Sequence, residues 1–488
     1  MRLKILSRAS DLARLQAAMV ADAIRRAWPD ADVSLITRQS AGDLDAVTPL
    51  ASFADKGAFT ADLSEALEAG TADMVVHSWK DLPLDSPQAT VIAATLERAD
   101  PRDVLLVRSD VVDARPATLR VLSSSPRRAW LLERALRPLL TWPAGALDFL
   151  PVRGNVPTRL KRLFDGQGDA LVVAKAALDR LLSGHAEFAG ADAAVRGALA
   201  RCQWMVLPLR EVPGAPAQGA LAVEVTASNA TLIAQLKTIS HQPTWDAVQR
   251  ERAFLASHGG GCHEAIAATV LSRPYGAVMS AKAKIAGDDA DIWTMERTAP
   301  AQRTAIANVF PRPDERDRAD RRDLSVTQPG RDAALLVSRA EALPASWSIP
   351  AGQLVWTSGT MTWRKLAARG IWVNGCADGL GDGEPPNIDR LAGRGVSWTR
   401  LTHADAARPG DLAAYAVTTR LPEDLASRTH FFWTSGTEFL RACEAWPSIR
   451  EGSHASGPGR TAEVLREVVG ESAGVWLNYE QWLRDTCL

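Results

Sequence analysis

The sequence predicts an α/β protein of several domains, and three observations carry that expectation. Apolar runs of strand length, Leu3 to Ser7, Asp73 to His77, Leu119 to Leu122 and Asp169 to Ala174, alternate with turns and with stretches of helical spacing such as Asp11 to Ala27. In the last third, Val355-Trp356-Thr357-Ser358-Gly359-Thr360 and Phe432-Trp433-Thr434-Ser435-Gly436-Thr437 repeat one strand-turn-helix element, and Ala455-Ser456-Gly457-Pro458-Gly459-Arg460-Thr461 opens a third helix. The length of 488 residues exceeds one ordinary core and points to about three or four domains.

Composition narrows the function classes. Lys and Arg number 56 against 57 Asp and Glu, so nucleic acid or an anionic membrane surface is not expected as a partner, and any arginine-rich site must be local. The five cysteines, Cys202, Cys262, Cys376, Cys443 and Cys487, are scattered without CxxC or Cys/His spacing, which indicates neither a disulfide scaffold nor a metal site. Met1 to Ile5 runs directly into the first strand without an apolar signal segment, and no run approaches the roughly 18 apolar residues of a membrane span. A cytoplasmic monomer is expected.

Taken in order, the first strand delivers Arg8-Ala9-Ser10 into the loop before a helix; alone, Arg8 reads as a surface arginine. Asp55-Lys56-Gly57-Ala58-Phe59 reads as a helix entry. Ser78-Trp79-Lys80-Asp81-Leu82-Pro83 follows an apolar strand, at the carboxyl end where ligands collect in open α/β sheets. Alone, His77 reads as a satisfied core histidine and Lys80-Asp81 as a surface pair. Glu97 to Asp103 is a charged, proline-marked crossing, and a domain boundary is expected there. Ser123-Ser124-Ser125-Pro126-Arg127-Arg128 opens a helix running through Leu136. Serines before proline make a good helix start, and free N–H groups, hydroxyls and two arginines form a carboxylate or phosphate site. Arg153-Gly154-Asn155-Val156-Pro157-Thr158-Arg159 repeats the device, whereas Arg180 alone reads as solvated helix surface. After the helical stretch Trp245 to Ala256, Gly259-Gly260-Gly261-Cys262-His263 reads as a mobile loop that presents an unshielded thiol. A buried cysteine after a flexible turn is the plainer alternative.

Together these blocks resemble the hydroxymethylbilane synthases, or porphobilinogen deaminases. The resemblance rests on Arg8-x-Ser10, Lys56-Gly57-x-Phe59, the run VHSWKDLP from Val76 to Pro83, Glu97-Arg98-x-Asp100-Pro101-Arg102-Asp103, RGNV-x-TRL from Arg153, Gln218-Gly219-Ala220 and the GGGC loop. It covers about residues 1 to 300, with Leu122, Pro126 and His263 standing where the family usually has glycine, leucine and glutamine. The resemblance implies two periplasmic-binding-protein-like α/β domains, 1–98 with about 200–217 and then 99–199, followed by a small α+β cofactor-bearing domain at 218–300. It implies a dipyrromethane cofactor attached covalently to Cys262, on which four porphobilinogen molecules condense head to tail with loss of ammonia, in tetrapyrrole (haem) biosynthesis.

By the same resemblance Asp81 is catalytic, stabilising the cationic azafulvene left when ammonia departs, and Lys80 positions a carboxylate. Cys262, Arg127, Arg128, Ser125, Ser78, Lys80 and Asp81 hold the cofactor; Arg8, Ser10, Arg153, Arg159 and Arg180 bind substrate. Each ring adds two carboxylates, and scattered arginines suit a growing polycarboxylate as bidentate partners. A rival of another class is a non-catalytic small-anion binding protein of the same fold. The joint presence of Asp81 and Cys262 argues against it.

After residue 300 the composition changes. Arg312 to Asp323 is almost entirely charged and Gln328-Pro329-Gly330 follows, so 301–330 reads as a linker. The three turns beyond it suggest a C-terminal α/β domain at 331–488 with anion-binding helix starts. They resemble the TS-rich and GPxT turns of uroporphyrinogen-III synthase, although the segment is short for that enzyme's usual two-domain form. Tyr415 and Tyr479 read equally as site or core aromatics, and Gly379 to Gly383 as a loop.

Overall fold

The computed structural model describes residues 1–39, 61–84, 89–259, 265–284, 289–297, 303–315, 319–381 and 383–487. The chain first lays down β1 (Arg2–Arg8), β2 (Asp32–Arg38), β3 (Met74–Ser78) and β4 (Thr90–Ala94). It then builds β5 (Asp103–Arg108), β6 (Thr118–Leu122), β7 (Ala146–Leu150), β8 (Ala170–Ala174) and β9 (Cys202–Val206), and returns with β10 (Leu221–Thr226). The sheet orders are β2-β1-β3-β10-β4 and β7-β6-β8-β5-β9. Both have three neighbouring parallel strands and one antiparallel strand in the fourth place, so one α/β topology is used twice.

The helix Asp11–Ala27 shows why the local sequence folds this way. Ser10 Oγ accepts from Ala13 N at the start, Asp11 sits in the first turn and Arg25 and Arg26 in the last, an arrangement that satisfies an orphan donor and matches the helix dipole. Leu15, Val20 and Ile24 point inward, and Val20 and Ile24 join Leu3, Ile5, Met74 and Val76 in one core.

Two expected boundaries are corrected. Cys202 to Val206, assigned to the first domain, pairs with β5 in the second sheet. Leu221 to Thr226, assigned to the cofactor-bearing domain, is the antiparallel strand of the first. An apolar five- or six-residue run signals a buried strand without saying which sheet receives it.

The two lobes are joined by crossings at Leu96–Arg102 and Leu207–Ala220, packed backbone on backbone. Gly219 has φ +89°, and a Cβ there would lie 2.3 Å from Ala99 O, so only glycine fits. Glu251, fully buried, accepts from Arg98 Nη1 (2.5 Å) and Nη2 (3.0 Å), Ala217 N (2.6 Å) and Val270 N (2.6 Å). It thus ties both crossings to the α+β unit formed by the helix Gln242–Ser257 and the meander β11 (Ile266–Arg273), β12 (Gly276–Ala283) and β13 (Ala290–Glu296). Breaking such a buried pair by removing one partner costs about 3–5 kcal/mol.

The tail was expected as one α/β domain after a linker, and it contains two sheets instead. β14 (Val309–Phe310), β21 (His430–Trp433), β22 (Ser453–Ser456) and β23 (Gly474–Val475) are all parallel. β15 (Ala319–Asp323), β16 (Ala334–Val337), β17 (Val355–Thr357), β18 (Gly375–Cys376), β19 (Trp398–His403) and β20 (Leu412–Thr419) form the other, in the order β15-β20-β19-β16-β17-β18. The expected linker is therefore partly strand: Ala319 to Asp323 pairs antiparallel with β20 along a sheet edge, where charged residues can face water and propensity is a poor guide.

The tail is packed onto the second lobe. Leu131, Leu136 and Leu139 share one apolar cluster with Leu335, Trp363 and Leu366, and Trp363 Nε1 donates to Leu139 O at 3.1 Å. The outer edge of β9 is met by the segment 372–376: Val206 N donates to Asn374 O (2.8 Å), while Trp372 Nε1 and Asn374 Nδ2 donate to Trp204 O (3.0 and 2.9 Å). Asp378 accepts from Leu209 N and Arg210 N at 3.1 Å each. No described helix is long and apolar enough to cross a membrane.

Candidate active site

On the first lobe, the carboxyl ends of β1 and β3 deliver Arg8 and Ser78. Trp79 to Asp81 form a single 3-10 turn. Trp79 is its anchor: the ring is buried, lies 5.2 Å from that of Trp245, and its backbone N–H donates to Ala220 O at 3.0 Å. That fixes the turn against the second crossing and leaves Asp81 exposed, with Lys80 half-buried. Ser78 Oγ lies within hydrogen-bond distance of the Gln16 amide (2.9 Å to Nε2). His77 is a satisfied core residue, its Nε2 lying 2.7 Å from Glu224 Oε2. Burial works to raise the Glu224 pKa, but His77, Thr90 and Ser64 outweigh it and hold the carboxyl below its usual range.

On the second lobe, β6 ends at the serines before the helix Pro126–Ala135, β7 ends before Arg153, and β8 runs into the helix Lys175–Leu181. Ser125 caps its helix by accepting from Arg128 N, and Asn155 caps the helix Val156–Arg162, with Pro157 in its first turn. Arg127 and Arg128 are buried, both bound to the carboxylate of Asp103. Arg159 Nε donates to Gly154 O at 2.7 Å.

The electrostatics show which of these groups share one space. Burial pushes the Lys80 pKa down to about 8, Asp81 opposes that, and Arg128 and Arg127 add to it. Arg159 is lowered to about 10, first by burial and then by Arg128 and Arg153, with Asp81 opposing. Around Lys80 and Arg159 the cations Arg127, Arg128 and Arg153 thus outnumber the carboxylates Asp81 and Asp103. That surplus of positive charge, drawn from both lobes, fits a polycarboxylate cofactor.

Some expected site residues are employed otherwise. Ser10 is a helix cap. Arg180, expected in the substrate site, is buried against the second crossing, with Nη2 donating to Gly219 O at 2.7 Å and Nε without a partner. Cys262, its neighbours Gly260, Gly261 and His263, and the segment 55–59 lie outside the described residues. Sequence reasoning missed Asp103 and Glu251 as organisers of the crossings. The charged run ending at Asp103 was visible, but nothing local says that a carboxylate points at two arginines 24 and 25 positions away. In the tail, Tyr415 and Tyr479 are both core residues, and Tyr479 OH donates to Pro311 O at 2.6 Å. No cluster of metal-ligating side chains occurs among the described residues.

Two α/β lobes whose strand ends converge on an excess of guanidinium and ammonium groups define a protein that handles polyanionic small molecules. The chain belongs to the porphobilinogen deaminase family. Residues 3–234 match the family model described as "Porphobilinogen deaminase, dipyromethane cofactor binding domain"; the match ends before Cys262. The porphobilinogen deaminase of Roseiflexus sp. (strain RS-1) is 39% identical over 263 residues, 54% of this chain and 79% of that one. That of Nitratidesulfovibrio vulgaris (strain DP4) is 40% identical over 267 residues, 54% and 77%. Similar solved structures include the methionine binding protein MetQ (12% identity, 53% of this chain and 96% of that one, TM-score 0.29) and the periplasmic aliphatic sulphonate binding protein SsuA from Escherichia coli (17%, 52% and 70%, TM-score 0.26).

Proposed function

We propose that this chain carries out its family's reaction, the stepwise condensation of porphobilinogen into hydroxymethylbilane with release of ammonia, between its first two lobes, with Asp81 as the catalytic carboxylate. The chain is a hydroxymethylbilane synthase, a transferase of tetrapyrrole biosynthesis whose cofactor is dipyrromethane; a cytoplasmic monomer is the proposed setting. The observation that supports the site assignment is the exposed Asp81 acting on both Lys80 and Arg159, groups that also feel Arg128 from the second lobe.

Ser78, Lys80, Asp81, Ser125, Arg127 and Arg128 would hold the cofactor, with Cys262 as its point of attachment; when bound, it supplies the end to which the first substrate is joined. Asp81 stabilises the cation left when porphobilinogen loses ammonia and accepts or returns the pyrrole N–H proton. Lys80, Arg8, Arg153 and Arg159 meet the acetate and propionate groups and hold the ring in register. Arg180 acts on substrate only indirectly, by holding the second crossing. The test is the intact mass of full-length protein before and after porphobilinogen is added. Arg127→Leu is expected to reduce cofactor loading, and Arg153→Leu to stall chain growth as an accumulated enzyme-intermediate mass. Wild-type mass profiles in both would sink the assignment.

A second activity of the tail is favoured by one observation. His403, at the end of β19, lies near Arg339, Arg400 and Arg460, and Arg460 begins a helix attached to the other tail sheet. Burial, with these three arginines and against Asp405, keeps the His403 pKa below its usual value. Positive charge gathered around His403 from elements of both tail sheets suits the linear polycarboxylate that the first site releases, and tethering raises its local concentration. The reading is uroporphyrinogen-III synthase-like cyclisation. Porphobilinogen supplied to the full-length protein is expected to yield, after oxidation, porphyrin isomer III, and Arg460→Ala to move product toward isomer I. Isomer I from the parent protein would remove this activity. A point variant is the right tool because the apolar cluster shared with the second lobe rules out a clean cut near Val309.

A further inference from the structure

Asp103, the first residue of β5, is fully buried and receives four donors: Arg127 Nη2 (2.9 Å), Arg128 Nε (3.1 Å) and Nη2 (2.7 Å), and Gln218 Nε2 (2.9 Å). An ionised carboxylate offers about four lone-pair sites, so this one is saturated. Burial alone would raise its pKa, but the two guanidiniums hold it well below the usual range.

The geometry orients the arginines. Arg128 turns its Nε–Nη2 edge to Asp103 while Nη1 donates to Val172 O (3.3 Å), and Arg127 keeps Nη1 on Pro213 O (2.7 Å). A guanidinium carries five N–H groups in a rigid fork, so each arginine retains donors that these partners do not use. One carboxylate against two guanidiniums also leaves a net positive charge for an incoming anion to answer.

The same carboxylate stands where the two lobes join. Asp103 directly follows the first crossing, Pro213 and Gln218 belong to the second, and Gln218 Nε2 also donates to Pro101 O at 2.7 Å. The arginine planes are therefore set by both connecting segments at once.

We infer that Asp103 is the positioning residue of the cofactor site: it fixes Arg127 and Arg128 relative to both crossings, so that a polycarboxylate meets a preorganised pair of forks. It touches no ligand itself, and the inference rests on the assignment of Arg127 and Arg128 to cofactor binding. The test is intact-mass analysis of full-length protein as purified. Asp103→Asn removes the charge and turns an amide donor toward a guanidinium; Asp103→Glu keeps the charge on an arm one methylene longer. Each is expected to raise the ratio of cofactor-free to cofactor-bearing chains by about tenfold or more, the scale of one charge-assisted hydrogen bond. Val104→Ala, a cavity in the adjoining core, is the control: it should lower Tm without moving that ratio.

A wild-type ratio in either folded Asp103 variant overturns the inference, as does the same shift in Val104→Ala at matched loss of Tm. If Asp103→Asn does not fold, Asp103→Glu decides alone. Arg127→Leu separates the two layers. A wild-type mass profile there removes the cofactor assignment, whereas an impaired Arg127→Leu beside unaffected Asp103 variants removes only the positioning role.

Discussion

Cys262→Ala is expected to emerge as apo-protein, lacking both the thiol and the mass of the cofactor, and to have lost turnover by at least about three orders of magnitude, as when a residue essential to a covalent mechanism is deleted. The argument is chemical. Alanine has no group that can form the thioether, and the other cysteines are poor substitutes: Cys202, Cys376 and Cys443 are buried, with thiol pKa values raised by burial. Cys487 is half-buried and again raised by burial. A ligand held only by the folded state adds stability, so the apo-protein should also melt at a lower temperature than the parent. Mass spectrometry and a thermal melt on the same sample check both parts. A Cys262→Ala protein that keeps the added mass, or the activity, would contradict the assignment.

Asp81→Asn is expected to separate chemistry from loading. The variant should keep its cofactor mass while kcat falls by about two to four orders of magnitude, the span of a positioned proton-transfer and charge-stabilising group. Asparagine preserves the shape of the 3-10 turn, whose position depends on buried Trp79 rather than on the exposed carboxylate, so the fold should be indifferent. Lys80 and Arg159 would each lose a neighbour that raises its pKa, and substrate carboxylates should still be held. Single-turnover measurements beside intact mass would show this split. Near-normal turnover, or loss of the cofactor, would refute the division between Asp81 and the arginines.

Much of this site was legible because its signals are local. A serine before a helix, a proline near the first turn and an apolar strand leading into polar residues each mark a strand's carboxyl end, and the helix Asp11–Ala27 is found at its expected limits. What was not legible is long-range pairing. Whether β9 or β10 returns to the first sheet depends on where the chain crosses, and CQWMV and LAVEVT are both short, mostly apolar runs that either sheet could receive. Asp103 reads as the last charge of a crossing until folding brings Arg127 and Arg128 to it. Arg180 could not be told from a ligand arginine, because burial against Gly219 O has no signature in its own neighbourhood. The tail's second sheet was hidden for a related reason: β14 and β23 are two residues each, too short for any periodicity to register.

Strand β9 ends the second sheet, and at Trp204 and Val206 its outward backbone groups meet Trp372 and Asn374. A bare edge of this kind is a template on which another copy can add its own strand. The tail thus covers an edge that would otherwise be open to strand addition, apart from any chemistry it performs. A chain that lost it would open a hydrogen-bonding edge and, beside it, the apolar face of Leu131, Leu136 and Leu139, the combination from which aggregates grow.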